Sequence, residues 1–296
     1  MRWEGERQSD NVEDRRAGGG FGGMGGGLPR VGGRGIGIGG LLIALVLGWL
    51  FGINPLALLG LVDGAPGTES AQLQQPAQRP PADDKTAAFV STVLASTEDV
   101  WSGLFRQAGG QYQAPTLVLF RGATRTACGM GQSAMGPFYC PADQKVYLDL
   151  GFFDTLRSQL GAPGEFAQAY VVAHEVGHHV QRLLGITEKV DAMRGRVPEE
   201  QMNALSVRLE LQADCLAGVW AHHADKANNW LEPGDIEAGL NAASRIGDDT
   251  LQRRSQGVVV PESFTHGSSA QRVNWFRKAL DSGAMATCNT FETRKL

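Results

Sequence analysis

The sequence predicts an α+β chain with a single-span membrane anchor followed by a mostly helical domain carrying a small β-sheet. Three observations carry that expectation. Residues 36–62 hold no charged side chain over 27 positions, longer than the roughly 20 residues a bilayer requires. Beyond residue 85, apolar residues recur at helical spacing in several long stretches. Between those stretches lie two short strand-like runs, 115–120 and 145–150, bounded by glycine, proline and polar turns.

Residues 1–35 mix charge with glycine runs and offer little to bury, so a disordered Gly-rich cytoplasmic segment is expected there. The apolar run 36–62 reads as a transmembrane signal anchor that contacts the lipid bilayer. Arg30 and Arg34 precede it, whereas Asp63 and Glu69 follow. The positive-inside rule then leaves the N-terminus in the cytoplasm and the rest outside it. Residues 63–84, rich in Pro and Gln, read as a linker, and residues 85–296 as the folded domain.

The net charge of -4 and the lack of a long basic run argue against a nucleic-acid partner. Four cysteines are too few for a disulfide-built scaffold. Cys128 and Cys140 enclose a glycine-rich loop, where a disulfide is the expectation outside the cytoplasm. Cys215 and Cys288 are the other candidate pair, with two buried thiols as the alternative.

Helical spacing is expected over 86–108, and Gly109-Gly110 ends it. Residues 138–150 read as a hairpin. The next helix spans 165–184, announced by Pro163-Gly164 and closed by Gly185. A second long helix follows Pro198, a third covers about 236–246, and residues 247–264 read as loop. Ser268 or Ser269 caps a last helix that ends near Gly283.

The chemistry concentrates in His174-Glu175-x-x-His178. Residues four apart share a helix face, so His174 and His178 point at one metal ion, with Glu175 beside it as general base. Two imidazoles suit Zn²⁺, and a catalytic zinc takes three protein ligands and leaves one position open. Gln181 and Leu184 stand where a metzincin needs Gly and His, which excludes that class. A later-helix glutamate with an aspartate four residues on is met by Glu210 and Asp214. Glu210 is then the third ligand, and Asp214 accepts the free N–H of a ligand histidine. Gly177, inside the motif helix, anticipates a close approach by another backbone. His179 points away from the metal.

These residues, with Gly136-Pro137-Phe138-Tyr139-Cys140-Pro141, Glu210-Leu-Gln-Ala-Asp214-Cys215 and Gly267-Ser-Ser-Ala-Gln-Arg272, resemble the YpfJ-type neutral zinc metallopeptidases of bacterial envelopes. More distantly they are similar to the HtpX-type membrane gluzincins. That resemblance implies a zincin-like domain in which the motif helix lies under a small sheet. It implies an edge strand, placed at 145–150, that binds extended peptide. It also implies roles for His266 and Arg272, which match a His-Pro-x-x-x-x-Arg element except that Gly267 replaces the proline.

The expected function is a membrane-anchored endopeptidase with one Zn²⁺, acting on peptide or unfolded protein at the bacterial inner membrane with its domain in the periplasm. Glu175 is the base. His266, or Tyr147, stabilises the oxyanion, and Arg272 orients a carboxylate or a backbone carbonyl. A non-catalytic zinc scaffold and a zinc amidase acting on cell-wall peptides are the alternatives.

Overall fold

The computed structural model describes residues 1–17, 78–133, 136–293 and 296. Helix α1 (Lys85–Gln107) starts at Asp84, whose carboxylate accepts the Ala87 amide, one of the donors that a helix start leaves unpaired. Its apolar stripe buries Phe89, Val90, Val93, Leu94 and Trp101.

A four-stranded sheet follows. It contains β1 (Val12–Asp14), β2 (Thr116–Phe120), β5 (Phe138–Cys140) and β6 (Lys145–Asp149), in the spatial order β1-β2-β6-β5. The first three neighbours run parallel, and β5 returns antiparallel along β6. A separate hairpin pairs β3 (Ala123–Thr126) with β4 (Gly129–Gln132). Successive strand residues face opposite sides. Leu117, Leu119, Val146 and Leu148 therefore join the main core with the helices, while Val118, Phe120, Tyr147 and Cys140 form a second, smaller cluster.

The helices continue as α2 (Gly151–Ser158), α3 (Glu165–Leu183), α4 (Ile186–Asp191), α5 (Glu199–Asn228), α6 (Asp235–Arg245), α7 (Asp248–Gln256) and α8 (Ser269–Ser282). Helix α5 is the long axis against which α3 and α8 pack. Glycine makes both contacts close. A methyl at Gly177 would lie 3.0 Å from the Ala213 carbonyl oxygen, and one at Gly218 would strike the Phe276 carbonyl. The close approach anticipated at Gly177 is therefore the α3–α5 crossing, at the level of the motif.

Several expectations are corrected. Residues 1–17 are ordered within the same unit as the domain, as are residues 78–84. Local sequence offers residues 1–17 no core of their own, but distant partners supply one. Val12 is buried beside β2, and Trp3 packs edge-on against Phe89. Arg7 pairs with Glu98 and Asp99, and Arg16 with Asp14 and Asp84. The remainder of the expected disordered segment, the anchor 36–62 and linker residues 63–77 lie outside the described residues.

The pairing of β1 with β2 places both flanks of the 36–62 run in one folded body. A segment that crosses a bilayer once leaves its flanks on opposite sides, so the split topology expected from the arginine bias is incompatible with this sheet. Among the described residues no helix is long and apolar enough to cross a membrane.

Strand β6 is interior, paired on both sides, and β5 is the edge strand next to α3. The run 247–264 is not a loop throughout. It contains α7 and a 3₁₀ turn, Pro261–Ser263. Helix α7 is almost entirely polar, which hid it from a periodicity reading.

Candidate metal centre

Helix α3 carries His174, Glu175 and His178 on its buried side, and α5 brings Glu210 to them. His174 Nε2 lies 3.2 Å from one Glu210 oxygen, and His178 Nε2 lies 3.5 Å from the other. All three donor atoms fall within 4.8 Å of one another. A tetrahedral ion about 2.1 Å from each donor holds its donors roughly 3.4 Å apart. Two imidazoles and a carboxylate at this spacing fit one zinc ion. Glu175 is 8% exposed, one position along the same helix from His174.

The outward nitrogens of the two histidines are both engaged. His174 Nδ1 donates to Asp214 Oδ1 at 2.9 Å. Asp214 lies one helical turn beyond Glu210 and is fully buried. It also accepts the Tyr170 hydroxyl and two Arg272 donors, Nε at 2.8 Å and Nη2 at 2.9 Å. Arg272 is 2% exposed, so the pair is a buried, two-pronged ion pair. His178 Nδ1 donates to Gln181 Oε1 at 2.9 Å. With both Nδ1 atoms protonated, both Nε2 lone pairs face Glu210, as a metal site requires.

Electrostatics reinforce this arrangement. Burial pulls the His174 imidazolium down, but the charge and hydrogen bond of Asp214, with Glu210, outweigh it and raise its pKa to about 10. Burial pushes the Asp214 carboxyl up, yet Arg272 and His174 hold it below the usual carboxylate range. Glu210 is likewise held well down by the two histidines despite burial.

Each residue singled out from sequence has a definite place. His174, His178 and Glu210 converge, and Asp214 and Arg272 meet behind His174. Arg272 holds the Asp214 carboxylate and also donates through Nη1 to the Ile246 carbonyl at 3.4 Å. His266, ahead of α8, hydrogen-bonds through Nδ1 to Asp248 Oδ1 at 3.1 Å. The other Asp248 oxygen accepts the amides of Thr265, His266 and Gly267. The hydrogen bond to Asp248, working against burial, and then the charge of Glu210 raise the His266 pKa. His179 is fully buried between the Tyr139 hydroxyl and the Gln113 carbonyl, on another side of α3. Tyr147 belongs to the small cluster across the sheet, where its hydroxyl donates to Asp143. Its strand register turns it away from the motif helix, which removes it as an oxyanion donor.

Both expected disulfides are present, Cys128–Cys140 and Cys215–Cys288. Sequence reasoning missed Tyr170, Gln181, Gln212 and Asp248. Tyr170 and Gln181 had a usable signal, since they stand four before His174 and three after His178 on the same helix face.

A family profile described as "Putative neutral zinc metallopeptidase" matches residues 1–291. The chain belongs to that family. The Uncharacterized protein YpfJ of Escherichia coli strain K12 is 53% identical over 292 residues, 98% of this chain and 99% of the relative. The Uncharacterized protein Mb2605 of Mycobacterium bovis is 40% identical over 220 residues, covering 70% of this chain and 73% of the relative. No solved structure matches. The profile begins at residue 1, consistent with the N-terminal strand being part of the family's fold.

Proposed function

We propose that the protein is a zinc-dependent endopeptidase of the bacterial cell envelope, with one ion held by His174, His178 and Glu210. The observation that carries this reading is the three-donor cluster with Glu175 alongside it. A purely structural zinc site uses four protein ligands and has no use for an adjacent base. Bound there, zinc supplies a Lewis acid that polarises a scissile carbonyl and acidifies a water. Glu175 takes a proton from the attacking water and passes it to the leaving amine. His266, held by Asp248, donates a hydrogen bond to the oxygen on which charge develops. Asp214 and Gln181 keep both ligand histidines in the one tautomer that binds. The outer edge of β5, beside α3, offers backbone groups to an extended peptide, a mode of binding nearly independent of sequence.

The test uses the full chain in detergent, with bound zinc and cleavage of an unfolded protein as readouts. Glu175→Gln is expected to keep its zinc and lose at least about a hundredfold in turnover. A variant as active as the parent would remove Glu175 from the mechanism. Zinc bound by a parent that cleaves no unfolded protein would favour the scaffold reading instead.

Two disulfides support an oxidising compartment for the domain. The bilayer contact rests on the uncharged run 36–62. The residues before and after that run belong to one folded unit. Cysteines placed at Glu4 and Ser255, both exposed, should then react with an impermeant maleimide from the same side of intact membranes. Labelling from opposite sides would break the β1–β2 pairing.

A further inference from the structure

His178 is the start of a chain of amides that runs out of the metal centre. Gln181 accepts from His178 Nδ1, and its own amide nitrogen donates to Leu209 O at 2.7 Å and to Gln212 Oε1 at 3.1 Å. Gln212 in turn donates through Nε2 to the backbone carbonyl of Cys288 at 2.9 Å. Each amide therefore has its oxygen towards the metal and its nitrogen away from it, and neither can flip without losing its partners. Gln181 is fully buried and Gln212 nearly so, which makes an unpaired amide costly at either position.

The last acceptor belongs to a residue cross-linked to α5. Cys288 closes the 3₁₀ turn Met285–Cys288 and is bonded to Cys215, three positions along α5 from Gln212. Thr290 fastens the same tail one further turn away, donating to the Arg208 carbonyl, while Arg208 donates back to Thr290 and Thr293. These ties bracket Glu210. Cys288 itself is 3% exposed and joins the main core, but on its other side the tail borders open space. An apolar cleft of about 670 Å³ opens there, lined by Leu184, Val190, Leu216, Met285 and Phe291. The disulfide and the hydrogen bonds, together with the packing of Cys288, thus hold its carbonyl where Gln212 needs it.

We propose that the Cys215–Cys288 disulfide is a positioning device for the metal centre, setting how tightly zinc is held by fixing the Gln212–Gln181 chain that orients His178. The proposal rests on the zinc reading given above. Gln181 and Gln212 are positioning residues, since neither touches the ion.

The experiment measures the zinc dissociation constant of the full chain by competition with a chromophoric chelator. It adds the visible absorption of the cobalt(II)-substituted protein as a report on ligand geometry. Gln212→Leu, the paired change Cys215→Ser with Cys288→Ser, and their combination are compared with the parent, each checked for folding by near-ultraviolet circular dichroism. Breaking an outer-shell contact to a ligand histidine weakens metal binding by about 10–100-fold. Gln212→Leu and the cysteine pair are each expected to raise the dissociation constant about tenfold and to alter the cobalt spectrum. Their combination should cost no more than either alone, because both cut one chain.

Variants that bind zinc as tightly as the parent, with an unchanged cobalt spectrum, would overturn the proposal and leave the zinc reading standing. Losses that multiply in the combined variant would also overturn it, because the disulfide would then act by another route. Should the cysteine pair fail to fold, reduction of the folded proteins takes its place: it should weaken zinc binding about tenfold in the parent and have no further effect in Gln212→Leu, and a parent unchanged by reduction would overturn the proposal. A parent that binds no zinc would overturn both readings.

Discussion

The two histidines of the metal centre sit one turn apart on one helix, yet opposite chemistries hold them. Behind His174 is a buried ionic cluster in which Asp214 meets Arg272 and Tyr170. Behind His178 is a neutral chain of two glutamines ending on a backbone carbonyl. A carboxylate makes its imidazole more basic and a better donor to the metal, but it needs a buried counter-charge of its own. An amide only orients. One side of the site therefore supplies electrostatic strength, and the other supplies geometry that the tail disulfide can influence.

The comparison breaks most visibly at the ionic side. Asp214→Asn strands the Arg272 guanidinium without its anion, and should cost about 3–5 kcal/mol of stability together with about a hundredfold in zinc affinity. Denaturant unfolding and chelator competition measure the two. A variant retaining both parent values would show that the ionic cluster is no stronger than the amide chain.

A smaller effect is expected on the neutral side. Gln181→Leu should weaken zinc binding about tenfold while costing only about 1–3 kcal/mol of stability, the range for a buried polar group left unpaired. A loss as large as that of Asp214→Asn would erase the distinction between strength and orientation.

The mildest test uses a third histidine, which pairs with a carboxylate while half exposed. The hydrogen bond from Asp248 raises the His266 pKa above 6.5, against burial, which lowers it. Cleavage should therefore persist below that raised value and decline as the pH rises through it, because only the imidazolium donates from both nitrogens. Asp248→Asn should move this alkaline limb down towards 6.5, with less than about a tenfold loss at lower pH. A limb that stays in place would put His266 outside the reaction.

Much of the centre was legible because its signals are local. His174, Glu175 and His178 share one helical face. Glu210 and Asp214 announce themselves as two acids on an apolar helix, and Gly177 as a helix residue that only a close neighbour explains. What stayed hidden depends on distant parts of the chain. Gln212 is an ordinary helix residue until the tail folds over it. Asp248 lies on a helix too polar to show an apolar period. The sharpest miss concerned residues 1–17, read as disordered together with the glycine runs that follow them although Val12 is buried beside β2. The topology error followed from it, since the arginine bias was read without knowing that both flanks of the apolar run join one sheet.

Strand β1 also has a consequence in time. It is synthesised before its partner, β2, which emerges roughly a hundred residues later. Closing a loop of that length costs on the order of 4 kcal/mol in chain entropy. Until β1 docks, β2 presents an open edge to any other strand, the exposure from which misassembly starts. The opening residues thus act as the sheet's closing seal, and a chain severed between the two strands would hold that seal only by non-covalent contacts.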